Sequence, residues 1–156
     1  MKSSIYVETS IVSYLTSRPS RDLVQAAHQE VTRAWWAGSD AYALYISQLV
    51  LDEAAAGDVS AAALRLEAIR DLPLLELTPS AVGLGRQLIR AAALPAKAVG
   101  DAIHIALAAA HGMRFLLTWN CTHIANATMR PKIESICRAN GFEPPIICTP
   151  LELVEE

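Results

Sequence analysis

The sequence has no run of the ~18 apolar residues that a helix needs to cross a bilayer. Its most apolar stretch, 102–110, contains His104 and lies between Asp101 and Arg114. The opening residues, Met1-Lys2-Ser3-Ser4-Ile5-Tyr6-Val7-Glu8, have no long apolar core and no small-residue cleavage site, so no signal peptide is expected. Cysteine is scarce. Cys121, Cys137 and Cys148 are an odd count without paired spacing. That excludes a disulfide framework, gives no zinc signature and fits a reducing compartment. Positive charge is not in excess, because 13 Lys and Arg stand against 16 Asp and Glu for a net charge of −3. A broadly cationic nucleic-acid binder is excluded, though not a local basic patch. There is no low-complexity linker and no repeat at a fixed period. No glycine-rich loop follows a strand, which argues against a nucleotide-binding or phosphatase domain.

What is present is apolar. Hydrophobic residues make up 53% of the 156-residue chain and charged residues 19%, against a usual ~45–50% and ~25%. A chain of this length buries roughly 68–70% of its extended-chain surface. It needs no metal merely to fold, and one domain over residues 1–156 is expected.

The pattern alternates. Short, continuous apolar runs predict strands at 5–7, 42–47, 74–77, 115–118 and 146–148. Helical spacing and composition predict helices at 11–15, 22–36, 49–56, 61–70, 79–93, 95–112 and 131–140. Ser10 is the expected N-cap of the first and Ser47 of the third. Pro79 suits the first turn of the fifth, and Gly38, Gly57, Gly112 and Gly141 mark helix ends. Strands of this kind predict a mainly parallel sheet of about five strands covered on both faces, a three-layer α/β/α fold. Ligands then sit beyond the carboxyl ends of the strands.

Four oxygen-bearing residues fall at or near those ends: Glu8 after the first strand, Glu53 in the helix after the second, Asp101 in the helix before the fourth, and Asn120 after the fourth. Few basic residues stand near them. Carboxylates that meet repel one another and rise in pKa. A hard divalent cation such as Mg²⁺ or Mn²⁺ relieves this and prefers oxygen ligands. Each residue also has a plainer reading: Glu8 or Asn120 as a helix cap, Glu53 as a solvated neighbour of Asp52, Asp101 as a complement to its helix dipole. His104, one turn from Asp101, reads by default as a satisfied core histidine. His28 and His111 read as surface or packing residues.

The order of these blocks resembles the PIN-domain family, especially the VapC-like toxins of bacterial toxin–antitoxin pairs. The resemblance covers essentially the whole chain. It rests on Tyr6-Val7-Glu8-Thr9-Ser10, Ser47-Gln48-Leu49-Val50-Leu51-Asp52-Glu53, Gly100-Asp101-Ala102-Ile103-His104-Ile105-Ala106-Leu107-Ala108, Leu116-Leu117-Thr118-Trp119-Asn120 and Thr149-Pro150-Leu151-Glu152-Leu153. The family places an Asp where this chain has Glu8, and often an Asp where it has Asn120. Glu8 is one methylene longer, and Asn120 keeps an oxygen but loses a charge. His123 or Asn126 is expected to compensate through contacts behind the ligands.

The resemblance implies a Mg²⁺- or Mn²⁺-dependent endoribonuclease, with Glu8, Glu53, Asp101 and Asn120 as metal-binding and catalytic residues. The rival is a catalytically weak or inactive PIN-like protein that acts by binding protein or RNA. Thr9 and Ser10 would offer hydroxyls to the phosphate, with Arg18, His104 and His123 as weaker substrate contacts. Arg21, Arg33, Lys2 and Lys97 are further phosphate candidates, and Trp35 and Trp36 are candidates for base stacking. The implied partners are RNA, a cognate antitoxin and a second copy of the chain, with no membrane, in the cytoplasm. The Leu/Ala-rich segments 54–66 and 84–94 are expected to supply the partner-contacting surface.

Overall fold

The structure, a computed structural model, describes residues 1–154. Its five strands are β1 (Ser4–Val7), β2 (Ala43–Ser47), β3 (Leu74–Leu75), β4 (Phe115–Leu117) and β5 (Ile146–Cys148). They form one sheet in the order β3-β2-β1-β4-β5, and every neighbouring pair is parallel. The helices are α1 (Thr9–Thr16), α2 (Leu23–Ala37), α3 (Gln48–Ala54), α4 (Val59–Ala68), α5 (Pro79–Arg90), α6 (Val99–Ala110) and α7 (Arg130–Ala139). Sheet and helices make the expected three-layer α/β/α fold. No helix among the described residues is long and apolar enough to cross a membrane.

Ile5, Tyr6 and Val7 on the central strand are all fully buried. A strand covered on both faces has no reason to alternate, so it reads as a continuous apolar run. The register sets Tyr6 against Tyr45 on one side and Leu116 on the other. The helix starts follow local chemistry. Asp22, Ser47, Asp58 and Thr78 each accept a hydrogen bond from the backbone N–H three residues on, at α2, α3, α4 and α5. Gly57, Gly112 and Gly141 follow helices with φ of 83°, 66° and 85°, the left-handed turn that glycine adopts most readily.

Three expectations need correction. Ser10 does not cap α1. The helix starts two residues earlier, at Thr9, with Glu8 at the capping position and no side-chain cap bond, so Ser10 lies inside the first turn. The helix predicted over 95–112 is only Val99–Ala110, since the chain turns after Pro95 before it winds. Segment 84–94 is surface only in part: Leu84, Leu88, Ala93 and Leu94 are buried, and α5 packs against α6. Burying a leucine such as Leu88 stabilises the fold by roughly 1.5–3 kcal/mol. The apolar surface that does remain open there is a groove of about 510 Å³ lined by Val82, Gly85, Arg86, Ile89, Arg90, Val99 and Ile103.

From β1 the chain moves through β2 to β3 on one side, then crosses to β4 and β5 on the other. The direction of winding therefore reverses at β1. A crevice opens at such a reversal, beyond the carboxyl ends of the two strands that flank it.

Candidate metal centre

Glu8 leaves β1 directly into that crevice. It is buried, and its backbone N–H continues the ladder by donating to the Leu117 carbonyl (3.1 Å). Two hydroxyls converge on its Oε1, from Ser10 (2.5 Å) and Thr118 (2.6 Å). Ser10 Oγ in turn accepts the Trp119 N–H (2.8 Å), and Thr118 Oγ1 accepts the Asn120 N–H (2.9 Å). Hydroxyl chemistry thus ties the start of α1 to the end of β4.

Glu53 comes from α3, the helix capped by Ser47. Its Oε1 accepts the Thr9 hydroxyl (2.6 Å) and the His104 Nε2–H (2.7 Å). Partial burial pushes the Glu53 carboxyl up. The hydrogen bond from His104, the positive charge that ring carries when protonated, and the Thr9 hydroxyl outweigh this and leave it below the ordinary value. The rise expected from carboxylate repulsion is therefore reversed at Glu53. Ligand atoms of Glu8, Glu53 and His104 all lie within 4.8 Å of one another.

Asp101 sits in the first turn of α6. Its Oδ1 accepts from the Asn120 side-chain amide (3.0 Å), and its Oδ2 pairs with His123 Nδ1 (2.9 Å). Asn120 Oδ1 accepts the His123 backbone N–H (3.0 Å). The oxygen that Asn120 was expected to offer a cation is thus turned to the backbone, and its NH₂ faces Asp101. His123 supports Asp101 as expected. Asn126 does not join: it accepts from the Thr128 backbone and hydroxyl and donates to the Thr122 carbonyl, forming a turn of its own.

Other candidates move. The Thr9 and Ser10 hydroxyls serve Glu53 and Glu8 rather than a phosphate. His104 is fully buried with both ring nitrogens engaged inside the protein, so it meets Glu53 and not substrate. Trp35 stacks on Tyr42 (centroids 5.8 Å apart) and borders hollows beside Pro150, Leu153 and Val154, away from these carboxylates. Arg33 pairs with Glu30 and donates to the Ser17 carbonyl. Arg18 lines a polar hollow with Ser13, Tyr14, Ser17 and Gln29, while Lys2, Arg21 and Lys97 are exposed. His111 is bonded to the Glu76 carbonyl (2.7 Å).

Sequence reasoning gave no role to Trp119 or to the Tyr6 hydroxyl. Trp119 is buried, donates from Nε1 to Thr32 Oγ1 (2.7 Å) and stacks on His28 at 3.9 Å between centroids. It anchors the segment that carries Asn120. The only available signal was its position between Thr118 and Asn120.

The donor set fits a hard divalent cation. A carboxylate has about four lone-pair sites over two oxygens. In Glu8 and Glu53 one oxygen takes two hydrogen bonds, and among the described residues nothing donates to the other. Among those residues, too, no Lys or Arg pairs with Glu8, Glu53 or Asp101; Glu53 and Asp101 have histidine partners. Neighbouring acidic side chains, each with an oxygen left bare and no fixed cation paired to them, suit a site for a mobile one.

A parallel α/β sheet with acidic residues and a histidine gathered at its point of reversal is compatible with a metal site. The sequence comparison agrees: a family model described as PIN domain matches residues 5–120, and the chain belongs to the PIN domain family, whose members are generally metal-dependent nucleases. No curated protein and no solved structure matches the chain.

Proposed function

We propose that this protein is a Mg²⁺- or Mn²⁺-dependent endoribonuclease, the toxin of a toxin–antitoxin pair, built as one domain. The observation that carries the nuclease reading is the pair of glutamates, each with one saturated and one bare oxygen, at the reversal of the sheet. Glu8 and Glu53 would hold the cation. Asp101, which keeps a lone pair on each oxygen, joins directly or through water, and Asn120 acts by orienting Asp101. When bound, such an ion lowers the pKa of water and neutralises charge on a phosphodiester. Glu53, held ionised, is placed to orient the attacking water. Arg18, in its polar hollow on α1, is the contact favoured for the RNA backbone.

The choice of RNA, the cytoplasmic setting and the partners rest on resemblance to VapC-like toxins. The groove between α5 and α6 supports a protein partner, because its lining by Val82, Ile89, Val99 and Ile103 leaves apolar surface open. Purified protein is expected to cleave single-stranded RNA with Mn²⁺ stimulation, and Asp101→Asn to abolish it. Absence of cleavage by the wild type would sink the enzyme reading. One observation favours the rival binding protein: Asn120 presents an amide rather than an oxygen to Asp101. No Mn²⁺ affinity at millimolar concentration would decide for that rival. Expression alone should slow bacterial growth, and an adjacent small gene should relieve it.

A further inference from the structure

Beneath Glu53 runs a line of buried polar groups that cleavage chemistry does not require. His104 Nδ1 lies 2.6 Å from Tyr6 Oη, and Tyr6 Oη lies 2.7 Å from Ser47 Oγ. Ser47 Oγ also accepts the Val50 N–H (3.3 Å), its capping bond to α3. Tyr6 and His104 are fully buried, and Ser47 nearly so. Tyr6 is 98 residues from His104 and 41 from Ser47, so the line joins β1, β2 and α6.

The proton positions follow from donors and acceptors. Ser47 Oγ receives the Val50 N–H, and its own hydrogen has one acceptor in reach among the described residues, Tyr6 Oη. The Tyr6 hydrogen must then go to His104 Nδ1, which leaves Nε2 as the ring's N–H, aimed at Glu53 Oε1. Running the line backwards would leave the buried Ser47 hydrogen without an acceptor among the described residues, which is costly. Only one direction satisfies every group.

The line ends on a particular oxygen. With the Thr9 hydroxyl, His104 fills both lone-pair sites of Glu53 Oε1. Oε2 faces the start of α6, where a Cβ on Gly100 would stand only 3.7 Å away. A glutamate side chain 39% exposed otherwise samples several rotamers. We propose that His104 is a positioning residue, itself held in place by Tyr6 and Ser47, whose bond from Nε2 to Oε1 fixes Glu53 so that Oε2 is the oxygen presented to a divalent cation. This rests on the metal-site reading above and names the residue that orders that site.

The test has two arms. Nitrogen-15 NMR of the wild-type imidazoles at neutral pH, without metal, should show His104 with its proton on Nε2. A proton on Nδ1 would overturn the proposal. Calorimetric Mn²⁺ titration should then show affinity falling about 10-fold in His104→Leu, recovering in part in His104→Gln, whose amide restores a donor, and falling severalfold in Tyr6→Phe; loss of a group that orients a metal ligand costs about 10- to 100-fold. If the wild type binds Mn²⁺ and a folded His104→Leu binds it as tightly, the positioning role is wrong while the metal site stands. If the wild type binds no Mn²⁺, the site reading fails and the proposal with it. Should His104→Leu unfold, the NMR arm and Tyr6→Phe decide, and an unchanged affinity in Tyr6→Phe counts against the proposal.

Discussion

The two sides of the crevice hold their acids differently. On the glutamate side, Glu8 and Glu53 each crowd two donors onto one oxygen and leave the other bare. On the aspartate side, the two oxygens of Asp101 each take one partner, Asn120 and His123. In the first arrangement Glu53 is anchored in the core by His104 and Tyr6 and Glu8 by the buried Thr118, whereas the second is held by groups that are only partly buried. A carboxylate held at one corner offers a defined ligand. One held at both corners is itself well placed but offers only leftover lone pairs. The glutamate side is therefore expected to set cation affinity, and the aspartate side to place the reacting groups.

The largest effect should come from Glu8→Gln or Glu53→Gln. Each removes a charge and half of the bare-oxygen pair, and Mn²⁺ affinity by calorimetry should fall at least about 100-fold, beyond the usual cost of losing a supporting group. Asp101→Asn should abolish cleavage yet weaken Mn²⁺ binding only about 10-fold; an affinity loss equal to that of the glutamates would erase the contrast. His123→Ala, which frees one Asp101 oxygen, should change Mn²⁺ affinity by less than Asp101→Asn does and lower the cleavage rate about 10-fold.

The smallest effect concerns what backs the aspartate side. Cys148 on β5, whose carbonyl accepts the Thr118 N–H, and Cys137 on α7 are buried thiols. Burial pushes Cys148 up to about 12 and Cys137 to about 11. An unfolded thiol ionises near roughly 8.5. Above that pH the unfolded chain loses protons that the folded chain keeps, so the stabilisation is complete below it and is lost as pH rises toward the folded values. Urea unfolding at about pH 7.5 and about pH 10 should show this loss, and Cys148→Ala should flatten it. A slope unchanged by that substitution would place the alkaline sensitivity elsewhere.

Much of the frame was legible along the chain. Continuous apolar runs such as Ile5-Tyr6-Val7 announce a sheet buried on both faces. Ser47 after a strand announces its cap of α3, whereas the caps at Asp22, Asp58 and Thr78 were not marked. The spacing also marked Glu8, Glu53, Asp101 and Asn120 as residues at strand ends. What it did not mark is direction. Nothing near Asn120 says that its amide, not its oxygen, turns to Asp101. Nothing near Ser10 says that it answers Glu8 and Trp119 rather than its own helix. His104 was legible as a satisfied core histidine, but its partners are Tyr6 and Glu53, 98 and 51 residues distant. Local pattern reports which face a residue takes; hydrogen-bond partners across the fold are decided by packing.

Gly100 carries a consequence for anyone engineering this chain. A glycine within a helix costs roughly 0.5–1 kcal/mol relative to alanine, so Gly100→Ala is the kind of change that a search for thermostability would select. Its methyl would sit in ordinary contact with Glu53 Oε2, in the space a hydrated ion must enter. Greater thermal tolerance and catalytic turnover would then trade against each other at a single methyl group, and a stabilised variant would be the one to distrust as a catalyst.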